Sequence, residues 1–418
     1  MVAILTRIFG PEKLELAEDV AQEALMTALE LWPYHGVPRN PTAWLTQVAK
    51  HRALNLLKRE RRFASTPPEA LDHLDRRGHP PDGQGASPER SVDMDDVVRL
   101  LFVACHPELS PESRVALTLK TVAGLGVEQI AGALLANPSA VAQRLVRAKN
   151  QVRDLRVTFE FPDAELPRRL DSVLEVLYLL FNEGYAAHQG DDLIRTELCD
   201  EAIRLCTLLA RYLSRGTPPR VHALLALMLL QSARLPARVG PAGELVPLES
   251  QDRTLWNRSR IAAGLRHLDQ AAQGDEVSSY HLEAGIAACH AVAPTYQGTD
   301  WRHILEFYDQ LIEMNPSPIV ALNRAVAVSR CHGPEAGILA LGSVRESSAV
   351  QHYHLLWATL ARFHADLADV TAATAYYHKA LACTCSAPER RFLENSLAAL
   401  TSAAPARGDV DSPRRPIV

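Results

Sequence analysis

The chain has 418 residues, 47% hydrophobic and 22% charged, with a net charge of −5. This excludes fibrous, collagenous and wholly disordered classes and leaves room for several cored domains. Aromatics make up only 6%, and long stretches rich in Ala and Leu, whose side chains lose little freedom in a helix, predict an all-α fold. From Glu12 to Leu31 the spacing predicts an amphipathic helix, with Leu16, Val20, Ala24 and Met26 inward and Glu15, Glu18, Asp19, Gln22 and Glu23 outward. Trp32-Pro33 is expected to end it. Gly36 to Pro41 is a turn in which Asn40 caps a helix starting at Pro41. That next helix is basic: Lys50 to Arg62 carries six Lys and Arg against Glu60.

Between Ala64 and Asp93, five prolines and three glycines among polar residues predict a linker. Ordered structure resumes near Met94. Ser110-Pro111-Glu112 starts a helix that stops at Gly124. Gly126 to Asn137, followed by Pro138 to Lys149, has helix-turn-helix proportions. Asn137 caps, Pro138 opens the second helix, and Val141, Leu145, Ala148 and Val152 pack against Ile130 and Leu134. Ser139, Gln143, Arg147 and Asn150 then face outward, side chains able to reach base edges and phosphates. Arg144 to Arg156 carries five basic residues against Asp154, so the rest of the chain sums to −14. Two segregated basic helices in an acidic chain are what phosphate binding requires.

Beyond Pro162 the sequence turns to helices rich in Leu and Ala, ending in a tail after Ala403 expected to be disordered. Trp357, Leu360, Ala361, His364, Ala373, Tyr377 and Ala380 fall at tetratricopeptide offsets, with His364 where an aromatic is usual; Tyr308 and Pro316 keep the late spacing of another repeat. A solenoid of two-helix repeats is expected. The turn Phe181-Asn182-Glu183-Gly184-Tyr185 reads as a helix end at glycine.

Three features in order carry a resemblance: the acidic helix containing Glu18 to Ala24, Asn40-Pro41-Thr42-Ala43-Trp44-Leu45 leading into a basic helix, and the helix-turn-helix. The chain resembles bacterial sigma factors of the extracytoplasmic-function group. The later segments Leu177 to Tyr185, Leu245 to Arg253 and Ala321 to Ala327 resemble the subgroup with a C-terminal tetratricopeptide-like extension. The resemblance implies a second sigma domain over 1–63, a flexible linker over 64–93, a fourth sigma domain over 94–156, a tetratricopeptide-like domain over 157–403 and a tail over 404–418. The stretch before Val2 is shorter than in that family by about a helix, so either the natural start lies upstream or the second sigma domain is truncated.

The resemblance further implies core RNA polymerase and promoter DNA as partners. Asp19, Gln22 and Glu23 would dock on the clamp helices of the largest subunit. Trp44, Lys50, Arg52, Asn55, Lys58 and Arg59 would meet the downstream promoter element. Ser139, Gln143, Arg144, Arg147 and Lys149 would read the upstream element near the polymerase flap. The extension would receive a protein or small-molecule regulator. The alternative is a tetratricopeptide-like interaction scaffold with a degenerate sigma-like N-terminus.

No enzyme is expected, and no cofactor. The chain has no phosphate loop, nucleophile elbow or zinc-protease His pair. Cys383 and Cys385, with His378, have poor spacing for zinc and read as packed thiols; His352 and His354 lie on different helix faces. The longest apolar run, His222 to Leu230, is half what a bilayer needs, so no membrane span is expected. Met1 to Phe9 lacks a secretory signal, and seven scattered cysteines fit a reducing cytoplasm.

Overall fold

The structure is a computed structural model that describes residues 1–64, 92–134, 136–160, 165–185, 194–213, 216–240, 243–342, 344–347 and 350–403. The expected linker and tail therefore lie almost wholly outside the described residues. Among those described, every regular element is helical, and the one β pairing is an isolated bridge between Val239 and Leu245. The all-α expectation holds.

The first helices are α1 (Val2–Phe9), α2 (Leu14–His35) and α3 (Pro41–Ala64). Their shared core contains Leu5, Phe9, Ala17, Val20, Ala21, Ala24, Ala49 and Ala53. Alanine on both sides of the α2–α3 contact lets the backbones approach closely, while Leu5 and Phe9 supply the larger apolar burial, roughly 1.5–3 kcal/mol each. Asn40 caps α3 as expected, its Oδ1 accepting from the Ala43 N–H at 3.0 Å.

Two expectations about α2 fail. Pro33 does not end the helix; it is accommodated in the last turn. The helix stops at Gly36, where φ of 82° leaves the helical region and the Gly36 N–H closes on the Trp32 carbonyl at 2.9 Å. Met26 is not inward but 54% exposed; the buried stripe is completed by Ala17, Ala21 and Ala28.

Helices α4 (Val92–Ala104), α5 (Pro111–Thr121), α6 (Val127–Ala133) and α7 (Pro138–Asp154) follow. Ser110 Oγ accepts from the Ser113 N–H at 3.3 Å, and Asn137 Oδ1 from the Ser139 N–H at 2.9 Å, so both expected caps form. Val141, Leu145, Ala148 and Val152 are buried with Ile130, which is the packing a helix-turn-helix requires.

The remaining helices are α8 (Leu166–Tyr185), α9 (Thr196–Tyr212), α10 (Pro219–Ser232), α11 (Arg258–Ala271), α12 (Ser279–Val292), α13 (Trp301–Met314), α14 (Pro318–His332), α15 (Pro334–Ala340), α16 (His354–Asp366), α17 (Val370–Ala382) and α18 (Ala387–Ala403). The chain divides into two compact units: Met1–Gly184 with Arg195–Val221, and Tyr185–Ile194 with His222–Val418. This differs from a boundary near 157. The reason is polar as well as apolar: buried Arg114 on α5 donates to the Leu109 carbonyl at 3.0 Å and pairs with Glu175 on α8 at 2.6 Å, while Arg195 donates to the Ala133 carbonyl of α6.

In the second unit, helices packed in pairs bury Leu322, Leu356, Leu360 and Phe363 in one cluster and Ala361, Tyr377, Ala380 and Leu393 in another. His364 stacks on Tyr376 at 5.3 Å, and Trp357 stacks on the same ring at 6.0 Å.

Gly184 does not end its helix either. It sits inside α8, where a Cβ would meet the Arg195 carbonyl oxygen at 2.8 Å and the Cys199 nitrogen at 2.9 Å. Gly184→Ala should therefore destabilise the chain by about 1–3 kcal/mol. Gly132→Ala on α6, with open space around it, should be neutral or stabilising by up to about 1 kcal/mol. Urea unfolding followed by circular dichroism separates the two.

Candidate polymerase and promoter interface

The outward face of α2 is set by the inward one. With Ala17, Val20, Ala21 and Ala24 buried, Asp19, Gln22 and Glu23 turn to solvent and line one groove with Met26, Thr27, Glu30 and Arg52. Arg52, from α3, reaches across: its Nη1 lies 2.5 Å from Glu23 Oε2 and its Nη2 donates to Thr27 Oγ1 at 2.8 Å. Both charged side chains are half-exposed, so the pair adds about 0–1 kcal/mol and mainly positions the guanidinium. Beside the carboxylates runs an apolar strip, Leu25, Met26 and Leu29, exposed at 49%, 54% and 70%. Contiguous exposed apolar groups of this kind mark macromolecular contact. The acidic residues were legible in the sequence and this strip was not, because a stripe of alanines hides which face is buried.

On α3, Asn55, Lys58 and Arg59 are exposed, and Lys50 and Arg52 half-buried. Trp44 is half-buried, its ring 5.6 Å from that of Trp32, so part of its apolar surface serves the α2–α3 junction.

On α7, Ser139, Gln143 and Arg147 recur every fourth residue and form one exposed ridge. Arg144 stands half-buried beside it. Lys149 is elsewhere: its Nζ lies 2.5 Å from Glu18 Oε2 on α2, with the two side chains 18% and 11% exposed. The structure thus brings three of the five upstream-element candidates onto one face and pairs Lys149 with a carboxylate from the first domain. Sequence reasoning saw Glu18 only as part of an acidic face, since a partner 131 residues away leaves no local signal.

Among the described residues, no three His, Cys, Asp or Glu side chains converge as metal ligands, and no helix is long and apolar enough to cross a membrane. Burial pushes the Cys383 and Cys385 thiols above their ordinary value, the reverse of an activated thiolate.

An amphipathic acidic helix, a basic helix beside it and a helix-turn-helix are the parts of a promoter-specificity factor. Residues 1–63 match sigma-70 region 2 and residues 99–152 match sigma-70 region 4. The two matched regions support sigma-factor function, with core RNA polymerase and promoter DNA as partners. Residues 169–272 match a family of unknown function (DUF6596). The chain belongs to the same family as uncharacterized protein R00370 of Rhizobium meliloti (strain 1021), with which it is 40% identical over 388 residues, 92% of this chain and 90% of that one.

Removing one partner of a largely buried ion pair strands the other charge, at a cost of about 3–5 kcal/mol. Lys149→Ala should therefore lower stability by that order, whereas Arg147→Ala on the exposed ridge should stay within about 0.5 kcal/mol of wild type. The double substitution Glu18→Gln/Lys149→Met should recover most of the loss; denaturant titration of the four proteins checks this.

Proposed function

We propose that the chain is a cytoplasmic sigma factor of the extracytoplasmic-function type whose C-terminal region is a tetratricopeptide-like domain that regulates it. Asp19, Gln22 and Glu23, with the neighbouring Leu25, Met26 and Leu29, dock on the clamp helices of the largest polymerase subunit. A charged rim sets orientation and on-rate there, and the apolar strip supplies burial. Trp44, Lys50, Arg52, Asn55, Lys58 and Arg59 meet the downstream promoter element, where an extruded base needs a shaped pocket with cationic support. Ser139, Gln143, Arg144 and Arg147 read the upstream element in the major groove, near the polymerase flap. Lys149 joins them once Glu18 releases it.

The observation that supports this reading best is the exposure of two chemically distinct faces: an acidic-apolar one on α2 and a Ser-Gln-Arg ridge on α7. The helical pairs of the second unit, with His364 stacked in an aromatic position, support the tetratricopeptide-like part. Helical-repeat domains offer extended docking surfaces, which suits a regulatory role.

Two experiments test it. Core-polymerase pull-down should retain the wild-type chain and lose the Asp19→Ala/Gln22→Ala variant; equal capture of both would overturn the docking assignment. In promoter binding, Arg147→Ala should cost about 1–3 kcal/mol with relaxed base selectivity, and Lys58→Ala should weaken all sequences evenly and reduce the salt slope by about 1.

A further inference from the structure

A sequence segment that the promoter reading leaves unused, Leu245 to Arg253, lies in the second unit and leads into Trp256. Leu248 and Trp256, with residues of α10, α12 and α13, surround a cavity of about 150 Å3 whose polar lining comes from Gln231, Arg234, Trp256, His290 and Tyr308.

Buried polar groups without partners gather at this cavity. Trp256 is 3% exposed, and its Nε1–H is buried without a hydrogen-bond partner. Nδ1 of His290 is buried and unpartnered as well. Arg253 lies 4.4 Å over the Trp256 ring and donates Nη1 to the His290 and Ala293 carbonyls at 2.7 and 2.8 Å, yet its Nη2 is also buried and unpaired. Arg234 lines the cavity and hydrogen-bonds through Nε to the Tyr185 hydroxyl at 2.9 Å. Native proteins pair nearly all buried polar groups, so two orphans in the lining of one small cavity, with a third on the Arg253 that covers the Trp256 ring, call for a ligand.

The electrostatics give the ligand its sign. Among the described residues, neither Arg234 nor Arg253 forms an ion pair with a carboxylate. Burial, then Arg234 and Arg253, push His290 down to about 3, so the imidazole is neutral beside two uncompensated guanidiniums. Burial chiefly, then Glu283, hold the Tyr308 phenol up at about 12, opposed by Arg234, which keeps its O–H a donor. Water would leave the positive charge uncompensated. An anion would pair with it and accept from the indole N–H, and charge-assisted bonds of this kind are the stronger ones.

We infer that this cavity binds a small oxyanion, a carboxylate or phosphate group, with Arg234 as its ion-pair partner and the Trp256 Nε1–H as its neutral donor. A volume near 150 Å3 is the size that admits a benzene-sized guest, which suits inorganic phosphate or a short carboxylic acid. The inference deepens the regulatory role proposed for the C-terminal region, and its test reads binding alone. Failure of the sigma assignment would leave that result standing, and the reverse.

The test is titration of the full-length protein, labelled with 15N-tryptophan, with inorganic phosphate and with acetate, against sodium chloride at matched ionic strength. The chain has five tryptophans, so the indole N–H spectrum is simple and Trp256→Phe identifies its signal. The expected result is a saturable shift of that signal with phosphate, acetate or both, which distinguishes the two headgroups. In calorimetry, Trp256→Phe and Arg234→Gln should weaken binding about tenfold or more, with the exposed control Arg345→Gln unchanged. The inference is overturned if no indole signal responds at tens of millimolar, if sodium chloride produces the same shift, or if Arg234→Gln binds like wild type.

Discussion

The close contact of α2 with α3 governs what the first domain can display. Small side chains on both helices, Ala17, Ala21 and Ala24 facing Ala49 and Ala53, bury one side of each. Because a helix commits its faces together, that burial decides which residues remain outside. The carboxylates and amide of α2 and the cations of α3 are left on adjoining surfaces, close enough for Arg52 to reach Glu23. Larger core residues would separate the backbones and open that reach. Trp32 against Trp44 closes the far end of the same contact.

The second organising force is pairing of charge in which at least one partner is withdrawn from water. Arg114 with Glu175, and Lys149 with Glu18, join segments 61 and 131 residues apart. Pairs of this kind are weak sources of net stability but are costly to leave half-made. They serve to specify which helices meet. The grouping of α8 and α9 with the sigma regions, rather than with the helices that follow, goes with such contacts.

What the sequence made legible was local chemistry. Asn40, Ser110 and Asn137 announced helix starts because capping depends on residues within one turn. The buried spacing of Val141, Leu145, Ala148 and Val152 announced the helix-turn-helix for the same reason. Misreadings arose where a local rule met a competing one. Pro33 resembled a terminator, but a proline near a helix end removes little, and the left-handed Gly36 does the stopping. Gly184 resembled a cap, but its missing side chain serves the approach of α9. The partners of Lys149 and the convergence of Arg234, Trp256 and His290 were invisible in the sequence, since each joins residues that only tertiary packing brings together.

The bridge from Arg52 to Glu23 and Thr27 also ties the two proposed binding events thermodynamically. A polymerase surface that engages Glu23 withdraws the anion that holds Arg52, and the guanidinium becomes available to a phosphate. A phosphate that captures Arg52 leaves Glu23 free in turn. Linkage requires the two effects to be equal, so each ligand raises affinity for the other by the same factor. An exposed pair of this strength limits that factor to a few-fold. The groove between α2 and α3 thereby carries a modest built-in cooperativity, set by one side chain that cannot serve both neighbours at once.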